Sequence, residues 1–368
     1  MKLKIAKSSL MNGIQIVSKA VPGKTTMSIL QCILIDASAD RIKLIANDME
    51  LGIQTMIDGE ILERGVIAVE ASIFSSIIRK LPDNTVSIAT DGEKISIVCE
   101  KAKFNILGKN GADFCYLPEI EKLEGINISQ FTLRDIITKT IFSISDNESN
   151  KMMTGELMEI KDGVLKLVSL DGHRISICKV ELNGSYSDRK VVIPGKTLSE
   201  VSKILSGDME KLVSIFFTGK HVLFEFDDTM VVSRLIEGEY FRIEQMLSSD
   251  YETKMTVNRQ EILSCIDRAT LLVKEGDKKP IILTIGDGTM ELRINTTIGS
   301  MDETIEIAKA GKDLMIGFNP KFLIDALRAI DDEEVDMYFV NPKAPCFIRN
   351  NAEDYIYLIL PVNFTTVD

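Results

Sequence analysis

Alternation of apolar and polar residues dominates the chain. VSIATDGEKISIV at 86–98 and VSIFFTGKHVLFEF at 213–226 place hydrophobic side chains at every second position on either side of an Asp-Gly or a Thr-Gly-Lys turn, which predicts two β-hairpins. Six windows interrupt the alternation: 7–20, 71–81, 132–143, 195–205, 258–272 and 319–330. In these, apolar residues recur at the three- and four-residue spacing of a short amphipathic helix. Their expected starts are Ser8 or Ser9 before Leu10, Thr132 before Leu133, Asn258 with Glu261 three residues on, and Asn319 followed by Pro320.

The pattern repeats three times. KLIANDMELGI at 43–53, KLVSLDGHRISI at 166–177 and ELRINTTIGSM at 291–301 share a core in which Leu44, Leu167 and Leu292 stand 123 and 125 residues apart. AVEASIFSSIIRKL at 68–81, VVIPGKTLSEVSKIL at 191–205 and MIGFNPKFLIDALRAI at 315–330 follow at the same period, with Phe74, Leu198 and Leu323 in step. LKIAKSSLMNGIQIV at 3–17, ISQFTLRDIITKTIF at 128–142 and MTVNRQEILSCIDRATLL at 255–272 open each copy. Three separate stretches sharing one period imply tandem copies of one α+β unit. Each copy holds two short helices and about eight strands. The polar, turn-rich stretches CYLPEIEKLEG at 115–125 and MLSSDYETK at 246–254 read as linkers, giving domains at 1–122, 123–250 and 251–368.

Composition narrows the class. With 45% hydrophobic and 27% charged residues over 368 positions, the chain has enough apolar surface for several buried cores. Cys32, Cys99, Cys115, Cys178, Cys265 and Cys346 stand singly, without a CxxC or metal-ligand spacing, and are expected to be reduced core thiols in a cytoplasmic protein. Asn12, Gly13 and Gln15 break the apolar run that a signal peptide would need after Lys2, Lys4 and Lys7. No apolar stretch approaches a membrane span, so no membrane partner is expected.

A net charge of -12 argues against a nucleic-acid partner until the location of the charges is considered. The six helical windows carry twelve basic residues, Lys7, Lys19, Arg79, Lys80, Arg134, Lys139, Lys196, Lys203, Arg259, Arg268, Lys321 and Arg328. Against these stand five acidic ones, Asp135, Glu200, Glu261, Asp267 and Asp325, a surplus of seven. Helices sharing one side of an assembly would make that side electropositive, suited to sequence-independent phosphate contact. The plainer alternative is a solvated face of ordinary amphipathic helices.

Only Asp171-Gly172-His173-Arg174 invites a catalytic reading, with His173 as a base oriented by Asp171. A tight Asp-Gly turn between two strands is favoured, because the chain has two histidines and no nucleophile or nucleotide-binding motif accompanies them. No catalytic residue, metal site or cofactor is therefore assigned. A repeat scaffold that never meets DNA is a third possibility suggested by the acidic total.

LVSLDGHRISIC at 167–178, with KTTMSIL at 24–30, GADFCYLPE at 111–119, RLIEGEYFRIEQML at 234–247 and YLILPVNF at 357–364, resembles the bacterial DNA polymerase III beta subunit family, the sliding clamps. The resemblance spans the chain in order. It implies three tandem clamp domains and a head-to-tail homodimer, whose six domains close a ring with the helices lining the hole. Its implied partners are double-stranded DNA, the replicative DNA polymerase, the clamp loader and repair proteins, each of the proteins bound through a short peptide.

The peptide pocket implied by the resemblance comprises Met153, Leu170, Gly172, His173, Arg174, Ile175, Phe241 and Met246, with Leu358, Ile359, Leu360, Pro361 and Val362 from the C-terminal segment. A cleft of Leu, Ile and Met buries peptide side chains while remaining adaptable; for Ile175 and Ile359 ordinary core burial is the alternative. DNA contacts would fall at Lys24, Asn147, Lys151 and Lys196, and the subunit contact at Phe104 on one partner and Leu271 and Leu272 on the other. The chain departs from the family at Phe241, where a proline is usual, at Gln245 and Asn363, where a basic residue is common, and in four terminal residues, Thr365 to Asp368. The 146–152 loop lacks aromatic residues, which weakens any stacking on single-stranded DNA.

Overall fold

A computed structural model describes residues 1–247, 250–274 and 279–364. The helices fall on the expected windows: α1 Lys7–Val17, α2 Ala71–Lys80, α3 Gln130–Thr138, α4 Gly195–Ile204, α5 Arg259–Thr270 and α6 Pro320–Ala329. Asn258 and Asn319 cap α5 and α6 as expected, their side-chain oxygens accepting from Glu261 N and Lys321 N at 3.0 Å.

Two expected starts are corrected. Ser8 and Ser9 lie inside α1, and Thr132 lies inside α3. In both cases a strand runs directly into the helix, and a neighbouring loop satisfies the first N–H groups. Lys7 N donates to the Asn84 carbonyl at 3.1 Å, and Gln130 N donates to the Lys211 carbonyl at 2.7 Å. Ser129, one turn earlier than expected, receives the Thr132 N–H at 3.0 Å.

The chain divides into two compact units. The first comprises Met1–Thr132 and Glu200–Leu235, the second Leu133–Ser199 and Ile236–Asp368. Each holds one nine-stranded antiparallel sheet and one smaller sheet. The division passes through the middle repeat, because each large sheet is composed of strands from two consecutive repeats. In the first unit, Leu51–Ile57 of the opening repeat pairs with Thr229–Arg234 of the middle one. In the second, Arg174–Glu181 of the middle repeat pairs with Tyr355–Ile359 of the last. Both expected hairpins form, Asp91 pairing with Lys94 across the positive-φ Gly92, and Phe217 with Val222.

Within the first unit α1 packs on α2, and within the second α5 packs on α6. The last repeat buries Ile262, Ile266, Leu292, Leu323, Leu327, Tyr357 and Ile359 in one cluster between α5, α6 and the strands. Residues 248 and 249 of the second expected linker and the terminal Thr365–Asp368 lie outside the described residues.

Candidate functional site

Period-two alternation in the second unit creates an apolar row across the central strands of its large sheet. Val168 pairs with Ile177, Leu170 with Ile175, Ile175 with Leu358 and Ile177 with Ile356, so these side chains share one face. Leu170, Ile175 and Leu358 are each no more than 5% exposed. Segment 236–247 lies against this face through Ile236, Tyr240, Phe241, Ile243 and Leu247, joined by Met152 and Met153. The Tyr240 hydroxyl anchors the segment by donating to the Val168 carbonyl at 3.2 Å, and its ring meets Phe241 edge-on at 5.6 Å. Met246 is 52% and Leu360 37% exposed. The result is the candidate peptide groove: a partly covered apolar patch with Leu170, Ile175 and Leu358 as its buried base and Met153 and Phe241 among the side chains that pack on it.

The same alternation removes two expected residues from the groove. Ile359 faces the opposite way and is 1% exposed within the core of the last repeat, so ordinary core burial holds for it. Arg174, its partner in register, is 6% exposed and shares that face. Its guanidinium binds Asp171, Asp325 and the Phe142 carbonyl. Ile175 remains with Leu170 and Leu358 on the groove face.

Asp171–Arg174 is a tight turn. The Asp171 carboxylate accepts from the backbone N–H of His173 at 2.9 Å and of Arg174 at 3.1 Å, and Gly172 adopts φ +89°, a conformation costly for residues with a Cβ. With that carboxylate spent on the turn, the His173 ring instead stacks on Phe322 at 6.1 Å. This is the geometry of a structural turn rather than of an Asp–His dyad.

The basic residues of the helices are less available than their count suggests. Lys19 and Lys203 approach Glu200 at 3.6 and 2.7 Å, Lys139 pairs with Asp135 at 2.8 Å, Arg328 with Asp267 at 3.2 Å, and Arg268 with Glu303. A polar cleft of about 760 Å³ in the first unit combines Lys19, Arg79 and Lys203 with Asp227 and Asp228. Lys24, Asn147, Lys151 and Lys196 are all exposed, on the loop preceding Ser28, the 146–150 loop, the single turn Lys151–Thr154 and the first turn of α4. Asn147 uses its side-chain oxygen to accept from Ser149 N.

Comparison with known proteins gives three consecutive family-model matches: the N-terminal domain of the DNA polymerase III beta subunit at 1–118, its central domain at 127–241 and its C-terminal domain at 244–363. The chain belongs to the DNA polymerase III beta subunit family. It is 35% identical to the beta sliding clamp of Bacillus subtilis, covering 98% of this chain and 99% of that one. With the beta sliding clamp of Staphylococcus epidermidis it shares 33% identity at the same coverage. Among solved structures it superposes on a DNA polymerase III beta subunit from Eubacterium rectale with a TM-score of 0.95 and 64% identity, covering 99% of this chain and all of that one. The Bacillus subtilis sliding clamp gives 0.94 at 34% identity and the same coverage.

This is a sliding clamp, then, of three α+β clamp domains. Two of its sheet edges carry the residues expected at a subunit contact. Ala102–Leu107 ends the small sheet of the first unit and presents Phe104 and Leu107, 37% and 75% exposed. Gly299–Glu306 ends the small sheet of the second, where Leu272 and Met301 cover the adjoining core and Leu271 is 79% exposed. Among the residues of the groove cluster that sequence reasoning missed are Met152, Val168, Ile177, Ile236, Tyr240, Ile243, Leu247 and Ile356. The alternation of the strands would have indicated Val168, Ile177 and Ile356; nothing local indicates the others.

Proposed function

We propose that two copies of this chain close head to tail around double-stranded DNA, and that the groove of each second unit holds a short apolar peptide of the polymerase, the clamp loader or a repair protein. The internal repeat carries the reading. Gly52, Ile175 and Ser300 hold equivalent places after their turns, since Asn47 pairs with Gly52, Leu170 with Ile175 and Asn295 with Ser300. The first two of these strands pair onward with a strand of the next repeat, whereas Gly299–Glu306 is a free edge among the described residues.

The matching free edge is Ala102–Leu107, which follows its turn as Thr229–Arg234 follows its own, Cys99 pairing with Ala102 and Phe226 with Thr229. Transferring the register of Ile53 with Val231 and Gln54 with Met230 sets Met301 opposite Phe104 and Asp302 opposite Lys103 of a second copy. An apolar pair beside an opposite-charge pair favours this junction. Two such contacts, each completing an open sheet edge, close a ring of six domains.

The role is non-catalytic, in the cytoplasm, and exerted through topology. Protein placed on nicked circular DNA by a clamp loader is expected to stay bound until a restriction enzyme linearises the circle and then to slide off. Retention unchanged by cutting would indicate surface binding and refute the ring.

A further inference from the structure

The polar cleft of the first unit is lined by Lys19 from the turn Ser18–Ala20 that follows α1, Arg79 from the last turn of α2 and Lys203 from the last turn of α4. Its two aspartates are engaged elsewhere. Asp227 accepts from Gln130 Nε2 at 3.2 Å and lies 3.4 Å from Lys211, and Asp228 pairs with Arg41. The lysines lean instead on Glu200, which stands one turn before Lys203 on α4 and accepts from it through Oε1 at 2.7 Å. The second oxygen, Oε2, faces Lys19 at 3.6 Å, beyond hydrogen-bonding distance, and is buried without a hydrogen bond among the described residues. Arg79 reaches the Ser75 hydroxyl at 3.4 Å and has no carboxylate partner among the described residues.

We infer that Glu200 is a positioning residue for DNA: it competes with backbone phosphates for Lys19 and Lys203, and so keeps the hold of this cleft on the duplex weak and exchangeable. The inference rests on the proposed ring, in which the helices face DNA. The Lys19 and Lys203 side chains are 38% and 51% exposed while that of Glu200 is 18% exposed, so the lysines can swing outward from a carboxylate that stays behind. A phosphate that reaches either lysine must draw it away from Glu200, and the ion pair gained is offset by the one lost. Of the three cations, Arg79 alone attracts without such a loss. Phosphate contacts that form and break at little cost let a ring grip duplex of any sequence and still move along it.

The test uses the full-length protein and a fluorescein-labelled linear duplex, read by fluorescence anisotropy over a series of salt concentrations. Glu200→Gln is expected to bind about three- to tenfold more tightly at low salt, with the slope of log affinity against log salt steeper by about one to two. In a background carrying Lys19→Ala and Lys203→Ala the gain should disappear, whereas a general rise in positive charge would persist there. Adding Arg79→Ala to that background reports on whether this cleft meets DNA at all, and should weaken binding below the wild type. Unchanged affinity and slope in Glu200→Gln, or an equal gain without the two lysines, would overturn the inference and leave the ring reading intact so long as the triple variant binds more weakly. Equal binding by the wild type and the triple variant, or no binding by any of these proteins at low salt, would overturn both.

Discussion

Glu156 should make the second unit lose stability as pH rises. It is 0% exposed, neither carboxyl oxygen has a hydrogen-bond partner among the described residues, and the Thr140 hydroxyl beside it donates to the Ile136 carbonyl instead. Burial away from water raises its pKa from 4.5 to about 8. The folded protein therefore keeps a proton at neutral pH that the unfolded chain releases. The stabilisation is complete below about pH 4.5, declines as pH rises, and is gone above about pH 8. At about 1.4 kcal/mol per pH unit the whole displacement corresponds to roughly 5 kcal/mol, and relaxation around the ionised group lowers the expected loss to about 2–4 kcal/mol. Glu156→Gln keeps the shape and removes the titration. Urea unfolding of wild type and variant, followed by hydrogen exchange in strand Gly155–Lys161 between pH 5 and 9, should show the variant gaining relative stability up to about pH 8 and levelling off above it. A constant difference across that range would refute the argument.

In the proposed ring, Phe104→Arg should place a charge opposite Met301 of the second copy and weaken the proposed dimer by about 100-fold or more, seen in sedimentation velocity as a shift toward the 41.0 kDa chain. An unchanged dimer would exclude the proposed strand register. Leu358→Ala, in the groove floor, should cost about 2–4 kcal/mol of stability and weaken peptide binding, whereas the half-buried Met153→Ala should weaken binding with little effect on urea unfolding. Cysteine alkylation at pH 8, followed by mass spectrometry, should modify the half-buried Cys115 first. Burial pushes the Cys178 and Cys265 thiols up to about 12, and these two should react only on unfolding; early modification of either would contradict the packing described.

The sequence by itself determined the three repeats, the six helices, the two hairpins and the family, since each is written in local periodicity or in short runs such as LVSLDGHRISIC. The Asn258 and Asn319 caps were legible for the same reason: the residue and its partners are neighbours in the chain. Local signals failed where a distant segment competes. Ser8, Ser9 and Thr132 are adequate caps by type, yet loops at Asn84, Lys211 and Asp208 supply the acceptors, and the helices begin earlier. The charge surplus of the helices was countable, and the Lys139–Asp135 and Lys203–Glu200 pairs lie within one helical turn, but the partner of Arg268 was not legible, because Glu303 lies far along the chain. Only the tertiary structure separated Ile175 and Leu358 from Arg174 and Ile359. Adjacent residues of a strand point to opposite faces, and which face becomes groove and which becomes core depends on strand register and on the helix packed behind, neither of which is a property of the local sequence.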